Sequence, residues 1–157
     1  MIDPDSFRAV LGRFATGVTV VTTRDADGRD HGLTVSAFSS LSLVPPLVLV
    51  CVDQSSSTHP VLAQASHFAV NILAAEQEAL SRRFAGSDLN RFEGIGYSRG
   101  VTGVAVLDDV LAYLECRVEH HHDAGDHTIF VGAVEAAEAG SGHPLLYYRG
   151  GYASLDR

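Results

Sequence analysis

Asp123-Ala124-Gly125-Asp126-His127-Thr128-Ile129-Phe130-Val131-Gly132-Ala133-Val134 is the stretch on which the fold turns. A mostly apolar run, Val110 to His120, leads into it and ends in three successive histidines, His120-His121-His122. Asp-Ala-Gly then turns the chain, and a second apolar run begins at Thr128. The pattern predicts a β-hairpin with His127 at the mouth of its second strand. A histidine in that place can reach a ligand while rigid strands hold it from both sides.

Working outward, the run before the hairpin alternates. Ala112, Leu114, Cys116 and Val118 share one face; Tyr113, Glu115, Arg117 and Glu119 share the other. The second strand is expected to reach Ala137, followed by a Gly-Ser-Gly turn and a strand from Leu145 to Tyr148. Upstream, Val18 to Thr23 is a β-branched strand closed by Asp25-Ala26-Asp27-Gly28. From Gly32, Leu33, Val35 and Ala37 alternate with Thr34 and Ser36. Leu47 to Val52 is continuously apolar, which predicts a strand buried on both faces, and Phe68 to Leu73 is another strand. Helices are expected from Asp3-Pro4-Asp5 to Gly17, from Thr58 to about Ala65, and from Ala75 to Ala85. In the first, Phe7, Val10, Leu11 and Phe14 form one apolar face. Leu89 to Gly103 reads as irregular. Six or more strands with few helices predict a mainly β, antiparallel barrel with short helical additions. Gly94-Ile95-Gly96 with Gly100 misses the dinucleotide-fingerprint spacing and lacks its strand–turn–helix setting, so a Rossmann site is excluded. With no repeat or linker, residues 1–157 are expected to form one domain.

Composition narrows the function classes. A net charge of −8 disfavours nucleic acid as a general partner. No apolar run is long enough to span a membrane, and the acidic N-terminus lacks the apolar core of a signal peptide. Cys51 and Cys116 lie in apolar strand-like runs, as buried free thiols of a reducing compartment do, and the cytoplasm is the expected location.

Three stretches could carry chemistry. Ser55-Ser56-Ser57-Thr58 stands before a helix, where hydroxyls and free N–H groups favour an anion; a plain helix cap is the commoner use of such serines. Thr34, Val35, Ser36 and Ala37 could hydrogen-bond a planar heterocycle, or simply form a half-solvated strand. His120, His121 and His122 cannot all converge on a metal, because neighbours on a strand point to opposite faces, so no metal site is expected. His59, before Pro60, reads as a loop residue.

In their order and spacing these pieces resemble the flavin reductase family with the FMN-binding split-barrel fold. The resemblance runs through Phe14-Ala15-Thr16-Gly17-Val18-Thr19-Val20-Val21-Thr22, Gly32 to Ser42, Pro45-Pro46-Leu47-Val48 and Ser56-Ser57-Thr58-His59. It continues through Phe68 to Leu73, Arg83-Phe84-Ala85, Gly125-Asp126-His127 and Tyr148-Arg149-Gly150-Gly151-Tyr152. It implies an antiparallel Greek-key split barrel with a few flanking helices, and NAD(P)H-dependent reduction of free FMN or FAD. Hydride would pass from nicotinamide C4 to flavin N5, and reduced flavin to a separate monooxygenase. By the same resemblance, Thr34, Val35, Ser36 and Ala37 line the isoalloxazine, and Ser55, Ser56, Ser57 and Thr58 sit near the ribityl chain and phosphate. Asn71 lies beside the flavin, Arg83, Phe84 and Ala85 close over it, and Tyr148, Arg149 and Gly150 lie at the nicotinamide end. His127 is implied as the nicotinamide-side histidine, and a homodimer is implied too. Such chemistry belongs to the cofactors, so His127 would orient a ring rather than move a proton. The lack of a basic cluster for a 2′-phosphate leans toward NADH. A flavin-binding oxidase or a non-enzymatic flavin carrier on the same barrel are the competing readings.

Overall fold

Among the described residues, twelve strands and three helices follow the N-terminal residues in the computed structural model. It describes residues 1–155; Asp156 and Arg157, which the one-domain expectation includes, lie outside the described residues. The helices are α1 (Pro4–Leu11), α2 (His59–Gln64) and α3 (Glu78–Ala85). The strands are β1 (Thr16–Gly17), β2 (Thr19–Arg24), β3 (Asp30–Val35), β4 (Phe38–Ser42), β5 (Leu47–Asp53) and β6 (His67–Ile72). After them come β7 (Tyr97–Arg99), β8 (Ala105–Leu107), β9 (Ala112–Ala124), β10 (His127–Ala139), β11 (Leu145–Tyr148) and β12 (Gly151–Ser154).

Seven strands form the main sheet in the order β3-β2-β6-β9-β10-β5-β4, every pairing antiparallel. The edge strands β3 and β4 are joined only by Ser36 and Ala37, and Cys51 donates its N–H to the Ala37 carbonyl at 2.9 Å. That corner brings the two edges together and curls the sheet into a split barrel. A smaller sheet, β1-β11-β12, and the pair β7-β8 complete the strands.

The expected hairpin is the longest feature, β9 and β10 of 13 residues each. Gly125 takes a φ of 62° in the two-residue turn between Ala124 and His127, a conformation that glycine adopts without a Cβ clash. All three histidines belong to β9. His121 stacks on Phe130, while His120 and His122 lie together in the tilted arrangement of alternate residues on one face.

Some expectations change. The expected two-sided strand β5 buries Val48, Val50 and Val52 but leaves Leu47, Leu49 and Cys51 half exposed. β2 is enclosed on both sides, its residues Thr19 to Thr23 all buried. Val21 faces the barrel core with Val50, Phe68 and Phe130, and Val20 faces a second cluster with Leu73, Phe84 and Leu107. Its threonines tolerate this because each hydroxyl donates to a carbonyl: Thr19 to Val35 at 2.7 Å, Thr22 to Ala105 at 2.6 Å, Thr23 to His67 at 2.8 Å. Glu115, on the polar face of the alternating run, is buried, and its carboxylate accepts from Thr102 Oγ1 at 2.6 Å and from the N–H groups of Val101 and Thr102. The first helix ends at Leu11, not Gly17, with Gly12 donating to the Arg8 carbonyl. The third begins at Glu78, because Gln77 Oε1 takes the Ala74 N–H into a turn. Strand β7 falls in the stretch expected to be irregular.

Candidate functional site

Gly32, near the middle of β3, organises one end of the barrel. A Cβ there would lie 2.9 Å from the Phe84 ring, so only glycine lets α3 pack this closely on the strand. Its carbonyl also accepts from Arg91 Nη1 at 2.7 Å and from Thr58 Oγ1 at 3.4 Å. Three segments thus meet on one residue: the strand, the loop before α2, and the loop after α3. Between them opens a cleft of about 740 Å³, lined by Arg29 to Gly32, Ser57, Thr58 and residues 88–93.

The loop after α3 is held from beneath. Arg83 donates to the carbonyls of Arg91 at 2.7 Å, Asn90 at 3.0 Å and Glu93 at 2.6 Å. Phe84 and Phe92 meet edge to face at 5.1 Å between ring centroids. Burial pushes the Arg91 guanidinium below its usual range, opposed by the neighbouring Asp88 charge. Arg29 and Arg91 give the cleft cationic groups, set with the His31 imidazole among Asp30, Asp88 and Glu93.

The loop before α2 is built by its own side chains. Asp53 Oδ1 accepts from the Ser55 N–H and hydroxyl, both at 2.8 Å, and these bonds hold the Asp53 carboxyl below its usual range, with His127 and His59 adding to the effect. The Thr58 N–H donates to Ser56 Oγ at 3.2 Å, so Ser56 makes the turn and Thr58 makes no side-chain cap. Among the described residues the Ser57 hydroxyl has no protein partner, although it lines the cleft.

His127 opens β10 directly opposite Asp53, and its Nδ1 lies 2.7 Å from Asp126 Oδ1. Its ring is partly exposed. The loop reaches it through Gln54, whose Nε2 donates to the His127 carbonyl at 2.9 Å and whose N–H donates to Asp126 O at 2.9 Å.

Of the residues expected at the site, Ser57 and Thr58 line the cleft, and Ser55, Ser56 and His127 adjoin its loop. On β3 and its corner, Val35 is in the core, Thr34 Oγ1 donates to the Ser81 carbonyl at 2.6 Å, and Ser36 and Ala37 are exposed. Asn71 does not lie beside an open site. It is fully buried; its Nδ2 donates to Val20 O at 2.9 Å and Thr22 Oγ1 at 3.1 Å, and its Oδ1 accepts from Leu107 N–H at 2.9 Å. Arg83 and Phe84 sit under the loop rather than over the cleft, and Ala85 is exposed at the helix end. Tyr148 closes β11, and Arg149 and Gly150 make the β11–β12 turn with φ of 52° and 75°. What the sequence reading missed is Arg91-Phe92. The signal was present: Arg83-Phe84 recurs eight residues later as Arg91-Phe92, and it is the second copy that lines the cleft.

Residues 11–156 match the family described as flavin reductase like domain. Over 152 residues the chain is 45% identical to FMN reductase (NADH) SmoA of Agrobacterium fabrum, covering 97% of this chain and 86% of that protein. It is 44% identical over 149 residues to the reductase component of the 4-nitrophenol 4-monooxygenase/4-nitrocatechol 2-monooxygenase of Rhodococcus opacus, covering 95% and 80%. Among solved structures, the Streptomyces globisporus C-1027 NADH:FAD oxidoreductase SgcE6, in complex with NAD and FAD fragments, superposes with a TM-score of 0.92 at 35% identity, over 99% of this chain and 96% of that one.

Proposed function

This chain belongs to the flavin reductase like family, and from that premise we propose that it catalyses NAD(P)H-dependent reduction of free flavin, FMN or FAD, and delivers the reduced flavin to a separate monooxygenase. The observation that carries the reading is the cleft at Gly32, where the exposed Ser57 hydroxyl faces a space also lined by Arg29 and Arg91 and held on three supports. Its volume of about 740 Å³ lies inside the roughly 300–1,000 Å³ typical of ligand pockets. A serine hydroxyl, loop N–H groups and arginines are the donor set that a phosphate-bearing ligand requires.

When bound, the nicotinamide supplies hydride at C4 and the flavin accepts it at N5. The chain's part is to hold the rings. Ser55, Ser56, Ser57 and Thr58 take the phosphate and ribityl end, Ser57 by direct contact and the others by shaping the loop. Thr34, Val35, Ser36 and Ala37 present the barrel corner to the isoalloxazine, and Arg83 with Phe84 and Ala85 carries the loop that covers it. Asn71 fixes the strands behind the site. His127 orients the nicotinamide, and Tyr148, Arg149 and Gly150 complete that end.

Residues 1–157 act as one domain, and the active form is a homodimer. Two apolar surfaces support this: half-exposed Leu47, Leu49 and Cys51 on the outer side of β5, and exposed Phe7, Val10 and Leu11 on α1 with Phe14 just beyond it. Among the described residues no helix is long and apolar enough to cross a membrane, and the free thiols of Cys51 and Cys116 support a cytoplasmic site of action. The test is purified protein with NADH or NADPH and FMN, FAD or riboflavin, followed at the nicotinamide absorbance. Oxidation that depends on added flavin is expected. None with either nucleotide would point to a carrier or an oxidase instead.

A further inference from the structure

His59 reads as a loop residue in the sequence, yet its ring is tied into the opposite hairpin. Its Nε2 lies 2.8 Å from Thr128 Oγ1, and Thr128 Oγ1 donates to Asp123 Oδ1 at 2.7 Å. An ionised carboxylate only accepts, so the threonine's single proton goes to Asp123 and its oxygen accepts from His59. That order requires a proton on Nε2 of His59. Thr128 is buried, and the His59 ring stands edge-on to buried Phe130 at 5.8 Å, which leaves the imidazole little freedom to turn.

The chain partners of this contact matter. Thr128 immediately follows His127. At the other end of the same loop, Gln54 holds the carbonyls of Asp126 and His127. The segment 54–59, which carries Ser57 and Thr58 to the cleft, is therefore bonded at both ends to the three residues centred on His127. On the reading that the loop takes flavin phosphate and His127 takes nicotinamide, we infer that His59 is a positioning residue: through Thr128 it fixes the strand start that carries His127 in register with the flavin loop. It touches neither ring, and its effect passes through His127.

The test is anaerobic stopped-flow reduction of flavin by NADH in five variants of the full chain. His59→Leu removes the donor, and the rate at saturating flavin and NADH is expected to fall roughly tenfold, the scale of a small misplacement of reacting groups. His59→Gln offers an N–H at the reach of Nε2 and should restore most of the rate. Thr128→Val removes the middle of the chain from the other side and should slow the step as His59→Leu does. His59→Leu combined with His127→Ala should be no slower than His127→Ala alone, because residues acting through one another do not add. Multiplying effects, a wild-type rate in His59→Leu, or a glutamine no better than leucine would overturn the inference. A loss seen only as weaker flavin binding would reduce His59 to a support for α2. If His59→Leu does not fold, Thr128→Val against His59→Gln decides the same question. Flavin-dependent NADH oxidation by the wild type with all variants unchanged would sink the inference alone; no such oxidation by the wild type would sink the functional reading with it.

Discussion

Two regions of this molecule are rich in polar side chains, and they treat those side chains in opposite ways. Behind the sheet, Asn71, Thr22 and Glu115 are buried, and each has its hydrogen bonds met by protein: Asn71 by three, Glu115 by three, Thr22 by two. At the cleft, Ser57 lines an open space with no protein partner for its hydroxyl among the described residues, while Ser55, Ser56 and Arg83 beside it are engaged in shaping loops. A polar group that satisfies others is scaffold; one left open on a rigid loop is available to a ligand. The distinction is invisible in residue type, since serine, asparagine and arginine occur on both sides of it.

The largest effect that would test this division is expected from Asn71→Ala. Leu107 N–H would lose its acceptor in a fully buried place, and Val20 O and Thr22 would each lose a donor. One buried unsatisfied group costs about 1–3 kcal/mol, so a loss of about 3 kcal/mol is expected in urea unfolding, with little change in flavin affinity of the folded protein. Weak flavin binding with unchanged stability would break the comparison by returning Asn71 to the site.

Next comes Arg83→Ala. Its guanidinium donates to three carbonyls of the loop that lines the cleft. Charged hydrogen bonds contribute about 1.5–3 kcal/mol each, but this side chain is only half buried, so about 2 kcal/mol in flavin binding is the expected total. Because Arg83 shapes the loop instead of meeting the phosphate, FMN and riboflavin should weaken together, and hydrogen exchange should rise across residues 88–93. Selective loss of FMN would mean that the guanidinium leaves its carbonyls for the ligand.

The sequence made the hairpin legible because turn chemistry is local: Gly125 and the β-branched run after it state the reversal within ten residues. The barrel followed from strand count and from resemblance. What could not be read depended on partners far along the chain. Asn71 finds its acceptors and donor 36 to 51 residues away, and Arg91 finds Gly32 59 residues away. The burial of β2 was hidden by its threonines, which look like a solvated face until their hydroxyls are seen on carbonyls. The outer side of β5 shows the converse: an apolar run reads as fully buried, yet Leu47, Leu49 and Cys51 are only half covered.

The smallest predicted effect is the sharpest one. Ser57 and Thr58 are neighbours on one loop, both lining the cleft, yet Thr58 is buried and its hydroxyl is turned to the Gly32 carbonyl at 3.4 Å, whereas Ser57 is exposed and open. Ser57→Ala removes an exposed hydroxyl with no protein partner among the described residues, so the melting temperature should stay within error of wild type. If the hydroxyl meets the flavin phosphate, FMN affinity should fall by about 1 kcal/mol, or roughly fivefold, and riboflavin, which lacks the phosphate, should bind as before. Thr58→Val changes the packing around Gly32 and should weaken both ligands alike. Titration of each variant with the two flavins gives a two-by-two comparison in which only one cell, Ser57→Ala with FMN, departs from its riboflavin partner. Equal loss of FMN and riboflavin in Ser57→Ala would show that an unpartnered hydroxyl on this loop is no guide to where the phosphate goes.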